Sequence, residues 1–190
     1  WITFEKILEG EEALDPRWPV DGTTGYDLAT RVTDLLIDPA GLGVLHDLWA
    51  RLTGEPGPFA DLLHRTRLEV LRSVLQPEVG RLVALLAEVA PFHRTLRDRT
   101  APELQVALES FLACFPVYRT YVVDGPATEQ ELAAIATAAA EVRRRHPEVD
   151  GVLVDLLVDV LSSRTVAAPA SPAGDAERAF RTRFQQVSGP

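Results

Sequence analysis

The stretch from Phe59 to Pro91 constrains the fold more than any other part of the chain. Phe59, Leu62/Leu63, Val70/Leu71 and Val74/Leu75 recur at helical spacing. Val79, Leu82/Val83, Leu85/Leu86 and Val89 carry the same period onward. A strand, with its period of two, cannot bring these side chains to one face. Gln76-Pro77 falls inside the stripe and predicts a break or kink there. Proline has no N–H to donate, and its ring clashes with the preceding turn.

The same reading extends in both directions. "YDLATRVTDLLID" sets Leu28, Val32 and Leu35/Leu36 on one helical face. Asp38-Pro39 reads as an N-cap followed by proline at the first helical position, and the helix it opens closes at Gly54. "TAPE", from Thr100 to Glu103, is a capping box leading into Leu104, Leu108, Phe111, Leu112 and Phe115, with Pro116 as the stop. "TEQE", from Thr128 to Glu131, opens an alanine-rich helix. That helix ends in Arg143, Arg144 and Arg145, where the helix dipole favours cations. Pro147 is read as opening one more helix, with Val149, Val152/Leu153, Leu156/Leu157 and Val160/Leu161 inward. "DAERAFRTRFQQVSGP" gives a last helix with a Gly-Pro stop.

Three stretches are not helical in pattern. "WITFEKIL" alternates like a strand and is followed by a long Gly, Pro and Asp-rich loop. "VYRTYVV" is β-branched and aromatic, a short strand or extended segment. "SSRTVAAPASPAGD" reads as a mobile loop. The expected fold is therefore mainly α: seven or eight helices in orthogonal or bundle packing, with short extended segments at the N-terminus and near 117–123.

Composition narrows the function classes. Apolar residues make up 46% of the chain, enough for a sizeable core. A formal charge of −9 argues against nucleic acid and anionic lipid, both of which need a surplus of Lys and Arg. The most apolar stretch, around "VDGVLVDLLVDVL", is too short and too rich in Asp to cross a membrane. No signal-peptide pattern is visible. A single cysteine excludes an internal disulfide and is compatible with a reducing cytoplasm, the expected location. Lys6 is the only lysine beside many arginines, a bias typical of high-GC bacterial coding.

Few residues stand out chemically. His46, His64, His93 and His146 show no HxxxH or HExxH spacing, so no metal site is expected. Cys114 lies among core residues and reads as a buried, inert thiol. "DGTTGYD" lacks the lysine of a phosphate loop and reads as a turn into a helix, with Thr24 as its cap. Tyr118, Arg119 and Tyr121 cluster after a proline break. Aromatic faces and a guanidinium fork suit carbohydrate or carboxylate recognition, and a purely structural strand explains them as well. Glu5 fits two readings: an edge ion pair with Lys6, or a carboxylate at the C-terminal end of a barrel strand, where barrel enzymes hold their chemistry.

Three motifs occur together and in order: "FEKILEGEEALDPRWPVDGTTGYD", "LACFPVYRTY" and "RFQQVSGP". Together they resemble maltooligosyl trehalose synthase, of the alpha-amylase superfamily, from about Thr3 to Pro190. That resemblance implies a (β/α)8 catalytic barrel carrying helical insertions, of which this chain is an excised piece. It implies residues 1–24 as the end of a barrel strand plus a loop, 25–161 as the helical insertion, and 162–190 as a mobile loop and a helix returning toward the barrel. The abrupt opening strand, the lack of Met and the ending at "SGP" then follow.

The activity implied is intramolecular transglucosylation of a maltooligosaccharide, from a reducing-end α-1,4 bond to an α,α-1,1 bond. By the same resemblance Glu5 takes the role of general acid/base. Tyr118 and Arg119, with Thr24, Tyr26 and Asp27, line the site or hold its loops. No cofactor or metal is implied. The nucleophilic aspartate and a third acidic residue match nothing here, so the chain alone is expected to be inert. The competing reading is a non-catalytic helical interaction or structural module, which helix count and acidity fit equally well.

Overall fold

The computed structural model describes residues 1–190 except 9, 11, 93–95, 123–124, 165–170 and 190. Among the described residues eight α-helices follow one another: α1 (Tyr26–Leu35), α2 (Leu42–Thr53), α3 (Phe59–Arg72), α4 (Gln76–Val89), α5 (Ala101–Ala113), α6 (Glu129–Arg145), α7 (Gly151–Leu161) and α8 (Pro172–Val187). Two two-residue strands, β1 (Thr3–Phe4) and β2 (Gly22–Thr23), pair in parallel, with Thr3 opposite Gly22. The mainly α class read from the sequence is what the chain adopts. No described helix is long and apolar enough to cross a membrane. The chain packs as two compact units, Trp1–Leu63 and His64–Pro190.

The second unit carries the core. Within it α4 packs on α5 and α8, α6 packs on α7, and α5 meets both α6 and α7. Leu82, Leu86, Leu104, Leu108, Phe111, Phe115, Phe180 and Phe184 are all essentially excluded from water. Burial of each such side chain stabilises the fold by about 1.5–3 kcal/mol. From Ala107 to Ala113 every residue of α5 is buried, the pattern of a helix enclosed on all sides. The only charge in that stretch, Glu109, takes a bond from Arg72 Nε at 2.8 Å and one from Gln105 Nε2 at 2.7 Å.

Both capping boxes form. Thr100 and Glu103 close the start of α5, and Thr128 and Glu131 close the start of α6. Thr128→Ala removes the hydroxyl that accepts from Glu131 N, so α6 should lose about 1 kcal/mol, read as a lower urea midpoint. An unchanged midpoint would show that the box contributes nothing to stability.

Several expectations need correction. Pro147 does not open α7: Asp150 caps it, accepting from Val152 N at 2.9 Å, and Pro147 sits in the preceding turn. Of the two readings of 117–123, a short strand or an extended segment, the described residues 117–122 take no strand pairing, and two of their backbone groups are met by side chains: Tyr121 N donates to Glu131, and Val122 O accepts from Gln185. The opening strand is confined to Thr3–Phe4, since β2 offers only two residues to pair with. His93, Val123, residues 165–170 of the expected loop and the final Pro190 lie outside the described residues.

In the first unit α1 and α2 have no buried residue. The stripe of Leu28, Val32 and Leu35/Leu36 forms one helical face as expected, yet Leu35 is 84% and Leu36 80% exposed. Amphipathic spacing specifies a face, while burial requires a partner, and the described part of Trp1–Leu63 supplies none. The helices keep sound ends all the same. Asp38 accepts from Ala40 N at 3.0 Å at the head of a 3₁₀ turn, and Gly54 closes α2 at φ 74°, a conformation that favours glycine.

Candidate functional site

In the first unit the N-terminal motif folds on itself. The β1–β2 pair brings "TFEK" beside "DGTTGYD": Asp21 N donates to Ile2 O at 2.7 Å and Thr24 N to Phe4 O at 3.2 Å. Phe4 stacks at a tilt on Trp18, with centroids 4.9 Å apart. Arg17 grips Asp15 through Nε at 2.9 Å and through its own backbone N–H. Those hydrogen bonds hold the Asp15 carboxyl down to about 2, so the turn stays charged and fixed.

Glu5 is the first residue beyond the C-terminal end of β1. Its side chain is exposed, and Lys6 next to it is buried at 4%. The chain turns between them and β1, with Lys6 N donating to Phe4 O at 3.0 Å. Lys6 pairs with Glu12, while Glu5 Oε1 accepts from the Tyr26 hydroxyl at 3.2 Å. The first turn of α1 is tied down by Thr23, not by Thr24 as a cap. The Thr23 hydroxyl donates to Asp27 and also accepts from Gly25 N at 3.1 Å. That hydroxyl bond, and next the backbone N–H groups at the helix start, hold the Asp27 carboxyl below its ordinary range. The N-cap is Gly25, at φ 108°. Glu5, Thr24, Tyr26 and Asp27 thus belong to one tied loop cluster.

Tyr118 and Arg119 lie in the second unit, both half-buried. The Arg119 guanidinium lies 5.5 Å from the centroid of the Tyr118 ring. The backbone that follows them is anchored by two side chains. Glu131 accepts from Tyr121 N at 2.8 Å, and Gln185 Nε2 donates to Val122 O at 2.8 Å. Gly189 packs so closely that a Cβ there would stand 3.0 Å from both Arg119 Nη2 and Tyr118 Cζ. The second and third sequence motifs, some 70 residues apart in the chain, are therefore one assembly in space. Sequence reading missed Glu131, Gln185 and Gly189 as its supports. The position of Gly189 next to a helix stop was the one available signal.

A third cluster also lies in the second unit. His64 on α3, Cys114 at the end of α5 and His146 at the end of α6 converge. Burial keeps the Cys114 thiol protonated, pushed up to about 11. Burial first, then the neighbouring His146, holds the His64 imidazole below its usual value.

No family model matches the chain. Two solved structures are similar across 99% of it, and the chain spans 21% of the length of each. One is maltooligosyltrehalose synthase from Arthrobacter ramosus, at 29% identity and a TM-score of 0.75. The other is a single-substitution mutant of that enzyme, at 30% identity and the same TM-score. Among curated proteins, two from Mycobacterium tuberculosis strains, provisionally named maltooligosyl trehalose synthase, are 54% identical over 41 residues. That match covers 22% of this chain and 5% of each relative. The resemblance read from the three motifs therefore extends along essentially the whole chain.

Proposed function

We propose that this chain is the part of a maltooligosyltrehalose synthase that supplies the general acid/base and part of the wall around the reducing end of the substrate. The observation that carries this is the likeness over 99% of the chain to that enzyme, together with Glu5 standing just past the end of β1. In this reading the substrate is a maltooligosaccharide. Its reducing-end α-1,4 bond is exchanged for an α,α-1,1 bond without net hydrolysis.

The chemistry asks three things of the protein. One carboxylate must attack the anomeric carbon while a second, about 5–5.5 Å away, protonates the departing oxygen. Glu5 is the second. The Tyr26 hydroxyl, bonded to Glu5 Oε1, orients the carboxyl and leaves the other oxygen to face the sugar. The released glucose must next be held while it turns, so that its anomeric hydroxyl, deprotonated by the same Glu5, attacks the sugar carbon bonded to the first carboxylate and releases that carboxylate before water can. Arg119, over the Tyr118 ring at 5.5 Å and closely approached by Gly189, is with Tyr118 the pair that would meet a sugar in this reading. The exposed apolar stripes of α1 and α2 rest in this reading against the remainder of the parent enzyme.

The nucleophile and the third carboxylate belong to that remainder. The 190-residue chain incubated with maltopentaose is accordingly expected to yield no trehalosyl product. Product formation by the chain alone would overturn the placement of the nucleophile. A non-catalytic module is the competing reading. It predicts that a Glu5 substitution in the full-length protein leaves turnover untouched.

A further inference from the structure

His64, Cys114 and His146 are given no role in the sugar chemistry proposed above, and their potential ligand atoms all lie within 4.8 Å of one another. His64 Nε2 is 2.9 Å from His146 Nε2, and Cys114 Sγ is 3.8 Å from His64 Nδ1. Cys114 is buried and both histidines are half-buried. On its far side His146 Nδ1 is 3.0 Å from a Glu148 carboxylate oxygen. With Nδ1–H donated to Glu148, the lone pair of His146 Nε2 points into the cluster. A carboxylate behind an imidazole is the usual outer partner of a metal-bound histidine.

We propose that His64, Cys114 and His146 form a binding site for one zinc ion that ties α3 to the C-terminal ends of α5 and α6. A thiolate with two imidazoles is a donor set for a borderline-soft ion of tetrahedral habit, with water in the fourth position. Tetrahedral zinc with Zn–S near 2.3 Å and Zn–N near 2.0 Å sets sulfur and nitrogen roughly 3.6 Å apart and two nitrogens roughly 3.3 Å apart. His64 offers the ion one ring nitrogen, and the three ligand atoms then lie within 4.8 Å of one another, so loading needs these side chains to close on the ion around that nitrogen.

The surroundings are compatible with a dication bound to a thiolate. Arg144 and Arg145 are held by Glu141, and Arg67 donates to Phe115 O at 2.9 Å. The bland alternative is a hydrogen-bonded chain from the thiol through both imidazoles to Glu148, with no affinity for metal. The short-range spacing rule could not see the cluster, because His64 lies 50 residues from Cys114 and 82 from His146.

The test is titration of the chelator-stripped chain with cobalt(II) as a spectroscopic stand-in, then displacement by zinc. The site predicts one equivalent bound, visible d–d bands of a tetrahedral ion, and a near-ultraviolet thiolate-to-cobalt absorption that zinc abolishes. Cys114→Ala should remove the charge-transfer band. Glu148→Gln, an exposed change that leaves the fold alone, should weaken binding by about 10–100-fold. Failure of the wild-type chain to bind cobalt or zinc would overturn the proposal. So would binding that neither Cys114→Ala nor Glu148→Gln alters.

Discussion

Glu5→Gln in the full-length protein should lower turnover of maltopentaose by about 10²–10⁴-fold, the usual contribution of a positioned general acid/base. The amide keeps the shape of the side chain and can still accept from the Tyr26 hydroxyl. It has no proton to give the glycosidic oxygen and cannot take one from the released glucose. Because Glu5 is exposed and no core contact rests on it, the variant should fold as the parent does, with an unchanged circular dichroism spectrum and melting point. Tyr26→Phe separates orienting from reacting. It should reduce turnover far less, since it removes the bond that aims the carboxyl and leaves the proton in place. Near-normal turnover by Glu5→Gln would remove Glu5 from the acid/base role.

The second large effect concerns stability. Phe184 is fully buried among Phe111, Phe115 and Phe180, meeting the first two edge-on at centroid distances of 6.0 and 5.1 Å. Truncation to alanine opens a cavity the size of a ring where α8 crosses the core. The expected loss is about 3–5 kcal/mol. A domain is commonly stable by only about 5–15 kcal/mol, so the loss approaches unfolding. All three tryptophans, Trp1, Trp18 and Trp49, lie in the first unit. Tryptophan fluorescence therefore reads that unit, while helical circular dichroism reads mostly the second. Phe184→Ala should move the circular dichroism transition to lower denaturant. A shift worth less than about 1 kcal/mol would mean that α8 is not part of the cooperative core.

What could be read from the chain divides along a physical line. Local chemistry was legible. Two capping boxes, the Asp38-Pro39 start and the Gly54 stop each act within one turn of helix, and each is where the spacing put it. Placement that depends on remote partners was not. Leu28, Val32 and Leu35 form a face on α1, and periodicity carries no information on whether anything in the same chain covers it. "VYRTYVV" has strand propensity, but its Tyr121 N–H and Val122 C=O are met by Glu131 and Gln185 from helices, and no strand forms among its described residues. Pro147 looked like a helix opener until Asp150 proved the better cap, three residues on.

The candidate site divides in the same way. Resemblance singled out Glu5, Tyr26, Tyr118 and Arg119 from motifs, and the structure ties Glu5 to Tyr26 and stacks Arg119 on Tyr118. The support from Gly189, and the meeting of His64, Cys114 and His146, come from helix packing alone. One of the two readings of Glu5 was an edge ion pair with Lys6. In the structure Lys6 is buried and pairs with Glu12 from the following loop, while Glu5 accepts from the Tyr26 hydroxyl.

The most direct measurement of the central claim is the linkage in the product that the full-length protein makes from maltopentaose, followed by nuclear magnetic resonance. The account predicts that the reducing-end anomeric signals disappear, that the anomeric signals of an α,α-1,1 linkage grow in their place, and that little free glucose is released. A product mixture of glucose and shorter reducing maltooligosaccharides, or no change in the substrate, would contradict it.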